Sequence, residues 1–407
     1  MDKPEELSAG KNMAWSTFGS VVDLACQWLI SVAIVRITSS FSDAGIYALA
    51  TSIYGIVHPI AQFKMYTYHL SDVDGEYSFG EYLGFNAFTC FAALFCCVLY
   101  SVITGSFSSL AAIVLYSLYR LSKVTIDVFH AENQRNGRMD YIGISLALQG
   151  VLSLISFSFA YFFSQSLSFG LGSMVLMVVC VGFFYDRPHT AAFVHIQMGI
   201  KRDKAICLAR KCLPVVLGGI ACSLAPAIPK QVLQSVSGDA ALGIYASVAA
   251  PVAIIQMGAN YIYYPLLGYF AKYHQSGDLV KFRKLLVLVT FAIAACGVVC
   301  VFALNIIGVD VLVLVFGSKI QEYGYLLTPV IVASLITAYM WFLTDLLVSV
   351  RGLNLTVVGN AISLIATILI SYPFISSFGM NGVSYVLILS YLISTIFMLM
   401  GLLKNVF

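Results

Sequence analysis

The chain has 407 residues, of which 60% are hydrophobic and only 10% are charged, and its formal net charge is +3. Because a soluble domain has about 25% charged residues, this composition excludes a cytoplasmic enzyme, a nucleic-acid-binding protein and a disulfide-stabilised secreted protein. It indicates an integral membrane protein. The apolar stretches run for about 20 residues, whereas the strands of a membrane barrel alternate apolar and polar residues over ~10 positions, so we expect an all-α protein.

Twelve apolar stretches are long enough to cross the hydrocarbon core of a bilayer, which takes about 20 helical residues. In chain order they cover residues 13–37, 43–63, 83–104, 108–129, 141–163, 167–186, 212–233, 240–268, 283–306, 325–348, 354–375 and 381–403. The residues before the first stretch are polar and acidic, so we expect no cleaved signal peptide. The connections are short, so we expect no separate soluble domain.

The basic residues indicate the orientation, because cytoplasmic connections of membrane proteins carry most of the Lys and Arg. With a cytoplasmic N-terminus, all of the 22 lysines and arginines except Arg36, Lys230 and Lys319 fall in or beside cytoplasmic connections. This distribution predicts that both termini are cytoplasmic and supports an even number of spans.

The pattern also predicts an internal duplication. The longest polar connection, residues 187–212, separates an N-terminal bundle in residues 1–186 from a C-terminal bundle in residues 213–407, each with six spans. Gly45-Ile46-Tyr47-Ala48 opens the second span, and the same four residue types, Gly243-Ile244-Tyr245-Ala246, open the eighth. Six-span halves that repeat in this way are typical of transporters.

Three further motifs in the first half, taken with Gly-Ile-Tyr-Ala, resemble those of polysaccharide exporters of the multidrug/oligosaccharidyl-lipid/polysaccharide (MOP) superfamily. They are residues 66–72 (YTYHLSD), 75–79 (GEYSF) and 127–140 (DVFHAENQRNGRMD). Within that superfamily the sequence is most similar to Wzx-type flippases for O-antigen, capsule or exopolysaccharide units. The resemblance covers the whole chain in topology and residues 12–145 in motif, with His69 in place of the expected glutamine.

The resemblance implies two six-helix bundles that form a V around a central cavity, as in multidrug and toxic-compound extrusion (MATE) transporters. It implies a substrate, an undecaprenyl-diphosphate-linked oligosaccharide, that is turned from the inner to the outer leaflet of the bacterial cytoplasmic membrane without covalent chemistry. Membrane lipid, a polysaccharide polymerase and a chain-length regulator are the implied partners, and nucleic acid is not one of them.

Moving a diphosphate and sugars through a bilayer requires cationic and polar groups inside the spans, where ionisable residues are costly and therefore candidate functional residues. The candidate substrate-binding cations are Arg36, Lys230, Arg120 and Lys123. Lys230 follows two prolines, which bend a helix and are tolerated beside a wet cavity. Arg36 could equally be an interfacial residue, and Arg120 and Lys123 could simply belong to the cytoplasmic basic residues.

The candidates for ion coupling or for a polar lumen are Asp23, Gln27, His58, Asp127, Asp345, Gln256 and Asn260. Asp23 lies in the middle of the first span, and a carboxylate at this depth suits coupling to H⁺ or Na⁺. The alternatives are a hydrogen bond that holds two helices together for Asp23 and simple packing for His58. Gln256 and Asn260 suit sugar hydroxyls, although an interfacial aromatic belt explains the tyrosines beside them.

Two other functions stay open at this point. A cation-coupled exporter of small drugs from the same superfamily would have carboxylates but few cations in its cavity, and a scaffold of an envelope-assembly complex would need no polar residues within its spans. The sequence has no phosphate-binding Gly-Lys-Ser/Thr loop and no metal-ligand spacing among its ten cysteines, so we expect neither an enzyme nor a bound cofactor.

Overall fold

A computed structural model describes residues 7–38, 40–72, 75–263, 266–350 and 352–406. Every regular element within these ranges is a helix, which confirms the all-α prediction. The helices are α1 (Ala9–Thr38), α2 (Phe41–Gln62), α3 (Met65–Ser71), α4 (Phe79–Ile103), α5 (Leu110–Arg135), α6 (Met139–Ser164), α7 (Leu167–Val181), α8 (Arg187–Ala191), α9 (Arg202–Tyr263), α10 (Leu267–Gln275), α11 (Leu279–Phe316), α12 (Leu327–Ser349), α13 (Leu353–Phe378) and α14 (Met380–Val406). A π-helical turn, Gly182–Asp186, joins α7 to α8, and short 3₁₀ segments cover Phe107–Ser109 and Ser318–Leu326.

Eleven helical segments of the described chain are long and apolar enough to cross a membrane. One of them, Arg202–Val252, has 51 residues and contains the predicted span 212–233 and the first part of the predicted span 240–268. Within it Gly238 has φ +84° and ψ 174°, a non-helical conformation at which two helices meet. The left-handed φ is accessible to glycine because it has no Cβ atom.

The lipid-facing surface is visible in the burial pattern of α4. Phe88, Phe91 and Phe95 lie on one side of this helix and are exposed, whereas Phe85 and Cys97 on the other side are buried against the protein. Exposed phenylalanines in such a row would make a water-soluble protein aggregate, but they are the favourable surface in contact with lipid tails.

The chain divides into two compact units, Met1–Ile220 and Ala221–Phe407, which we call the N-unit and the C-unit. In the N-unit α1 packs along α6, and α5 packs against α2, α4 and α7, so that α5 is central. In the C-unit α14 packs between α12 and α13, and α12 also contacts α11.

Glycines bring α1 and α6 into backbone contact, as is common in membrane helix pairs. A Cβ atom at Gly19 would lie 2.3 Å from the carbonyl oxygen of Gly143, and one at Gly150 would lie 2.8 Å from the Cα atom of Asp23. This close approach places the Asp23 carboxylate inside the N-unit, at the surface of α6.

A second pair of glycines, Gly80 and Gly84 on one face of α4, forms a groove for an extended segment that precedes α9. The backbone amide of Gly199 donates a hydrogen bond to the carbonyl oxygen of Gly80 (3.1 Å), and a Cβ atom at Gly80 would lie 1.7 Å from the carbonyl oxygen of Gln197. The groove therefore holds residues 197–199 against the start of α4.

We expect Gly80→Ala to lower the free energy of unfolding by about 1–3 kcal/mol or more, because a backbone oxygen cannot move away as a flexible side chain can. Thermal unfolding of the purified protein in detergent would measure the loss. Gly172→Ala is the matched control, since no described atom lies within 4 Å of a Cβ atom at that position. Equal unfolding temperatures for the two variants would show that the groove does not need glycine.

Candidate functional site

A buried ion pair joins α1 to α5 in the N-unit. The Lys123 ammonium lies 2.6 Å from Oδ1 and 2.7 Å from Oδ2 of Asp23, and only 11% and 12% of the two side chains are exposed. Two charges buried this far are stable only when they are paired at close range. Asp23 thus neutralises Lys123, a residue that the sequence suggested as a substrate cation.

Two further predicted residues extend this pair into a network. Gln27 donates a hydrogen bond to Oδ2 of Asp23 (2.7 Å), and Nη1 of Arg120 donates one to Oε1 of Gln27 (3.0 Å). The Arg120 guanidinium also lies 5.7 Å from the centre of the Tyr54 ring, a cation–π distance. Among the described residues no carboxylate lies within ion-pair distance of Arg120, so this guanidinium is the cation of the network that has no carboxylate partner.

A cavity of about 410 Å³ lies within the C-unit and brings Lys230 together with Gln256. Its other polar and aromatic lining residues are Ser223, Tyr245, Ser334, Thr337, Trp341 and Tyr391. Within the described part of the chain, no side chain or carbonyl group accepts a hydrogen bond from the Lys230 ammonium, and none forms an ion pair with it. The cavity therefore presents one cation that has no partner, surrounded by hydroxyl, amide and aromatic groups.

The remaining predicted residues lie apart from these two sites. Arg36 is exposed in the last turn of α1, and the His58 ring packs at 5.6 Å from the Tyr54 ring on α2.

Oδ2 of Asp345 accepts a hydrogen bond from the Tyr263 hydroxyl (2.9 Å), which connects α12 to α9. Oδ1 of Asp127 lies 3.7 Å from Nδ1 of His130 on α5. The side chain of Asn260 lies outside the described residues.

The loop motifs at residues 66–72 and 75–79 have a structural explanation that periodicity could not supply. Oδ1 of Asp72 accepts a hydrogen bond from the amide of Glu76 (2.8 Å), and Oδ2 accepts from the amide of Tyr77 (3.0 Å) and the hydroxyl of Tyr82 (2.7 Å). Arg135 donates to the Asp72 carbonyl oxygen (3.0 Å). The Asp72 carboxylate therefore organises the connection between α3 and α4.

A second contact ties the same connection to α5. Nε2 of His69 lies 3.0 Å from Oε2 of Glu132, and the His69 ring stacks on Tyr82 with ring centres 4.3 Å apart. His69 and Glu132 are 63 residues apart in the chain and belong to two different motifs. The two motifs thus meet in space as one structural cluster, and a contact between residues so far apart in the chain gives no local signal in the sequence.

Burial alone would raise the pKa of the Asp72 carboxyl, but the hydrogen bonds from Tyr82, Tyr77 and Glu76 and the charge of Arg135 outweigh it, so this pKa is lower than usual. A carboxyl whose pKa is lower in the folded state stabilises the fold above its unfolded pKa of about 3.9, and that contribution is lost as the pH falls through the folded pKa.

We therefore expect the Glu76 and Tyr77 amides to lose their protection from hydrogen exchange as the pH falls from about 6 to about 3, after correction for intrinsic exchange rates. In Asp72→Asn the protection of these two amides should already be low at about pH 6 and should change little as the pH falls. A wild-type protection that stays constant over this range would refute the role of the carboxylate.

Among the described residues no group of three or more His, Cys, Asp or Glu side chains is placed to hold a metal ion. Lys230 and Arg120 present N–H donors at these two polar sites, whereas the Asp23 carboxylate is paired with Lys123.

No family model matches the chain. In sequence it is 25% identical over 397 residues to the capsular polysaccharide biosynthesis protein CapF of Staphylococcus aureus, which corresponds to 95% of this chain and 97% of that protein.

Among solved structures, the lipid II flippase MurJ in an inward closed conformation is similar to the chain with a TM-score of 0.73, over 95% of this chain and 87% of MurJ, at 9% identity. An inward-facing multidrug resistance MATE family transporter of the MOP superfamily matches with a TM-score of 0.62, over 96% and 94% of the two chains, at 13% identity. The Vibrio cholerae MATE transporter VcmN also matches with a TM-score of 0.62, over 97% of this chain and 96% of VcmN, at 11% identity.

As the motifs predicted, the chain is similar in sequence to a capsular polysaccharide biosynthesis protein and in fold to a MATE transporter of the MOP superfamily. The chain has the fold shared by MurJ and the MATE transporters, and its relative in sequence is a polysaccharide biosynthesis protein. The apolar helices and these similarities together identify a multi-pass bacterial membrane protein.

Proposed function

We propose that the protein is a flippase that moves an undecaprenyl-diphosphate-linked oligosaccharide from the inner to the outer leaflet of the cytoplasmic membrane by alternating access. The name of the relative points to surface polysaccharide synthesis, and the fold of a lipid II flippase points to a lipid-linked cargo. A polymerase and its chain-length regulator would then use the oligosaccharide on the outer surface.

The observation that carries the proposal is the Lys230 ammonium in the C-unit cavity, which has no hydrogen-bond or ion-pair partner among the described residues. An unpaired cation within apolar surroundings is costly unless a ligand neutralises it. A phosphate oxygen would do so with a charge-assisted hydrogen bond, and the hydroxyl and amide groups around Lys230 can replace water around a sugar. Trp341 and Tyr391 offer aromatic faces for the apolar side of a sugar ring.

The N-unit supplies a second cationic site in this proposal. Arg120 has further N–H donors besides the one that binds Gln27. A guanidinium can bind two oxygens of one phosphate in a bidentate manner. Arg36, at the end of α1, would act as a third cation. Asp23, through its pair with Lys123, would couple transport to the uptake of H⁺ or Na⁺, with Gln27, Asp127 and Asp345 as polar lumen residues.

The proposal includes twelve spans, two six-span bundles and cytoplasmic termini. A straight helix of 51 residues would be about 77 Å long, more than twice the ~30 Å of the hydrocarbon core. The break at Gly238 supports a division of Arg202–Val252 into two spans. The eleven segments then become twelve, and an even number returns the C-terminus to the side of the N-terminus.

A cation-coupled multidrug exporter is the second candidate, because MATE transporters share the fold. A drug cation and an ammonium without a carboxylate partner would repel each other within one cavity, so Lys230 favours an anionic cargo. Among the described residues that line the C-unit cavity there is no acidic side chain.

The two functions are distinguished by reconstituting the purified protein into liposomes. Polyprenyl-diphosphate-linked oligosaccharide with a labelled sugar should become accessible to an added glycosidase at a rate that protein-free liposomes do not show. An organic cation such as ethidium should not be transported. Ethidium transport without movement of the labelled lipid would overturn the flippase proposal in favour of the exporter.

A further inference from the structure

The N-unit contains a cluster of titratable groups, two of which, His130 and Asp186, have no role in the proposed function. Asp186 ends the π-helical turn after α7, and its side chain is 0% exposed. Its Oδ1 atom lies 3.2 Å from Nε2 of His130, and its Oδ2 atom accepts a hydrogen bond from the Ser145 hydroxyl (2.9 Å). Single π-helical turns are rare and are frequently found at functional sites.

His130 connects this buried carboxyl to an accessible one. The imidazole is 2% exposed, and Nδ1 faces Oδ1 of Asp127 at 3.7 Å, a gap that one water or a small rotation of the carboxylate closes. The Asp127 side chain is 36% exposed. The ring of His130 thus lies between an accessible carboxylate and a fully buried one, with one nitrogen directed to each.

Beyond Asp186 a polar row continues along α6 at intervals of one helical turn. Gln149 donates a hydrogen bond to the Ser145 hydroxyl (2.9 Å), and Ser153 follows one turn later. Oε1 of Gln149, the hydroxyl of Ser153 and the hydroxyl of Tyr119 on α5 are buried, and none has a hydrogen-bond partner among the described residues. Polar atoms left in this state in a protein interior are usually bridged by internal water.

Other charged and titratable groups surround both carboxyls. Those that interact with Asp127 are Asp23 on α1, Tyr54 on α2, Tyr66 on α3, Cys90 on α4, and Arg120, Lys123 and His130 on α5. Asp186 faces His130 from α5, Ser145 from α6 and Tyr185 from its own turn, and His189 on α8 packs against Tyr185. No cation other than His130 lies within ion-pair distance of Asp186 among the described residues.

We infer that Asp186 is a proton-binding site, separate from the Asp23–Lys123 pair, which exchanges its proton with water through His130 and Asp127. A proton on Asp127 passes to Nδ1 of His130 while the proton on Nε2 passes to Oδ1 of Asp186. The imidazole is neutral again after the two transfers, and Asp186 has become a neutral carboxylic acid. Release reverses both transfers.

The chemistry of a buried carboxyl supports this site. An ionised carboxylate without solvent is costly unless a counter-charge or a proton neutralises it, and His130 is the one basic side chain of the described residues within ion-pair distance of Asp186. A proton delivered to Asp186 through the neutral imidazole relieves that cost. When a proton neutralises Asp186, the Ser145 hydroxyl and the π-helical turn no longer face a negatively charged hydrogen-bond acceptor. The inner end of α7 therefore has two hydrogen-bonded states. The idea that this proton supplies energy for transport rests on the proposed function. The assignment of Asp186 as a proton-binding site does not rest on it.

Infrared spectroscopy of the full-length protein in lipid nanodiscs tests the site without any substrate. On acidification the wild type should gain the C=O stretching band of a buried carboxylic acid. Asp186→Asn should lack this band, and the matched control Asp140→Asn, which changes the carboxylate that pairs with Arg138, should keep it. A band that persists in Asp186→Asn overturns the proposal.

The relay is tested separately with His130→Gln, which also provides a test if Asp186→Asn does not fold. Glutamine can form hydrogen bonds in the place of the ring but cannot carry a proton, so exchange of the Asp186 proton for deuterium should become at least about tenfold slower. His189→Gln, the same change beside the site, should leave the exchange rate unaltered. An unchanged rate in His130→Gln refutes the relay. These spectra report on Asp186 in the N-unit, whereas the flippase proposal depends on Lys230 in the C-unit. The two proposals can therefore fail independently of each other.

Discussion

Replacing Lys230 with glutamine should reduce the surface polysaccharide of cells that depend on this protein by about 10- to 100-fold. A charge-assisted hydrogen bond to a phosphate contributes about 1.5–3 kcal/mol, and each 1.4 kcal/mol corresponds to a factor of ten. Glutamine keeps a hydrogen-bond donor in the C-unit cavity but removes the charge that attracts the diphosphate. Lipid-linked oligosaccharide should accumulate in the inner leaflet at the same time, and its extraction from spheroplasts measures this directly.

Two controls separate the charge of Lys230 from its place in the helix. Lys230→Arg restores a cation in the cavity and should recover most of the export, although the planar group does not fit every ammonium site. Lys284→Gln removes the same charge from an exposed position of α11 and should export normally. Full export by a stably expressed Lys230→Gln variant would exclude Lys230 as the site of the phosphate.

Replacing Asp23 with alanine should lower the free energy of unfolding of the N-unit by about 3–5 kcal/mol, the usual cost of leaving one member of a buried ion pair alone. Lys123 would then be buried near Arg120 without the carboxylate that lies within ion-pair distance of it. Thermal unfolding in detergent, followed by the loss of helical circular dichroism, should show a decrease of several degrees.

The double variant Asp23→Leu/Lys123→Met is the matched control, because it removes both charges and retains apolar volume. It should regain most of the lost stability, since apolar residues often replace a buried ion pair at little cost. A double variant as unstable as Asp23→Ala would mean that packing against Gly150, rather than charge pairing, explains the effect.

The roles suggested by single residues depend on partners that are far away in the chain. Asp23 and Gln27 lie one helical turn apart, so their contact follows from helical periodicity alone. Lys123, by contrast, is 100 residues from Asp23, and no spacing rule indicates that the two side chains meet. Lys123 therefore looked like a free cation in the sequence and is a paired one in the structure.

Lys230 shows the opposite case. Its position after two prolines in an apolar span indicated a cavity, and it does line one together with Gln256. The absence of an acidic partner was not predictable, because it depends on every helix that surrounds the residue. His130 and Asp186 were likewise inconspicuous, since each lies at the end of a predicted span, where polar residues are ordinary.

The sequence by itself determined the membrane class, the helical architecture and the approximate position of the spans, because the cost of burying backbone and charge in hydrocarbon acts on each segment locally. The loop motifs also indicated the superfamily. Only the tertiary structure decided which ionisable groups are neutralised, as Lys123 is by Asp23, and which stay available, as Lys230 does. Pairing of buried charges depends on contacts between helices, and these contacts are set by packing across the whole unit rather than by any stretch of the chain.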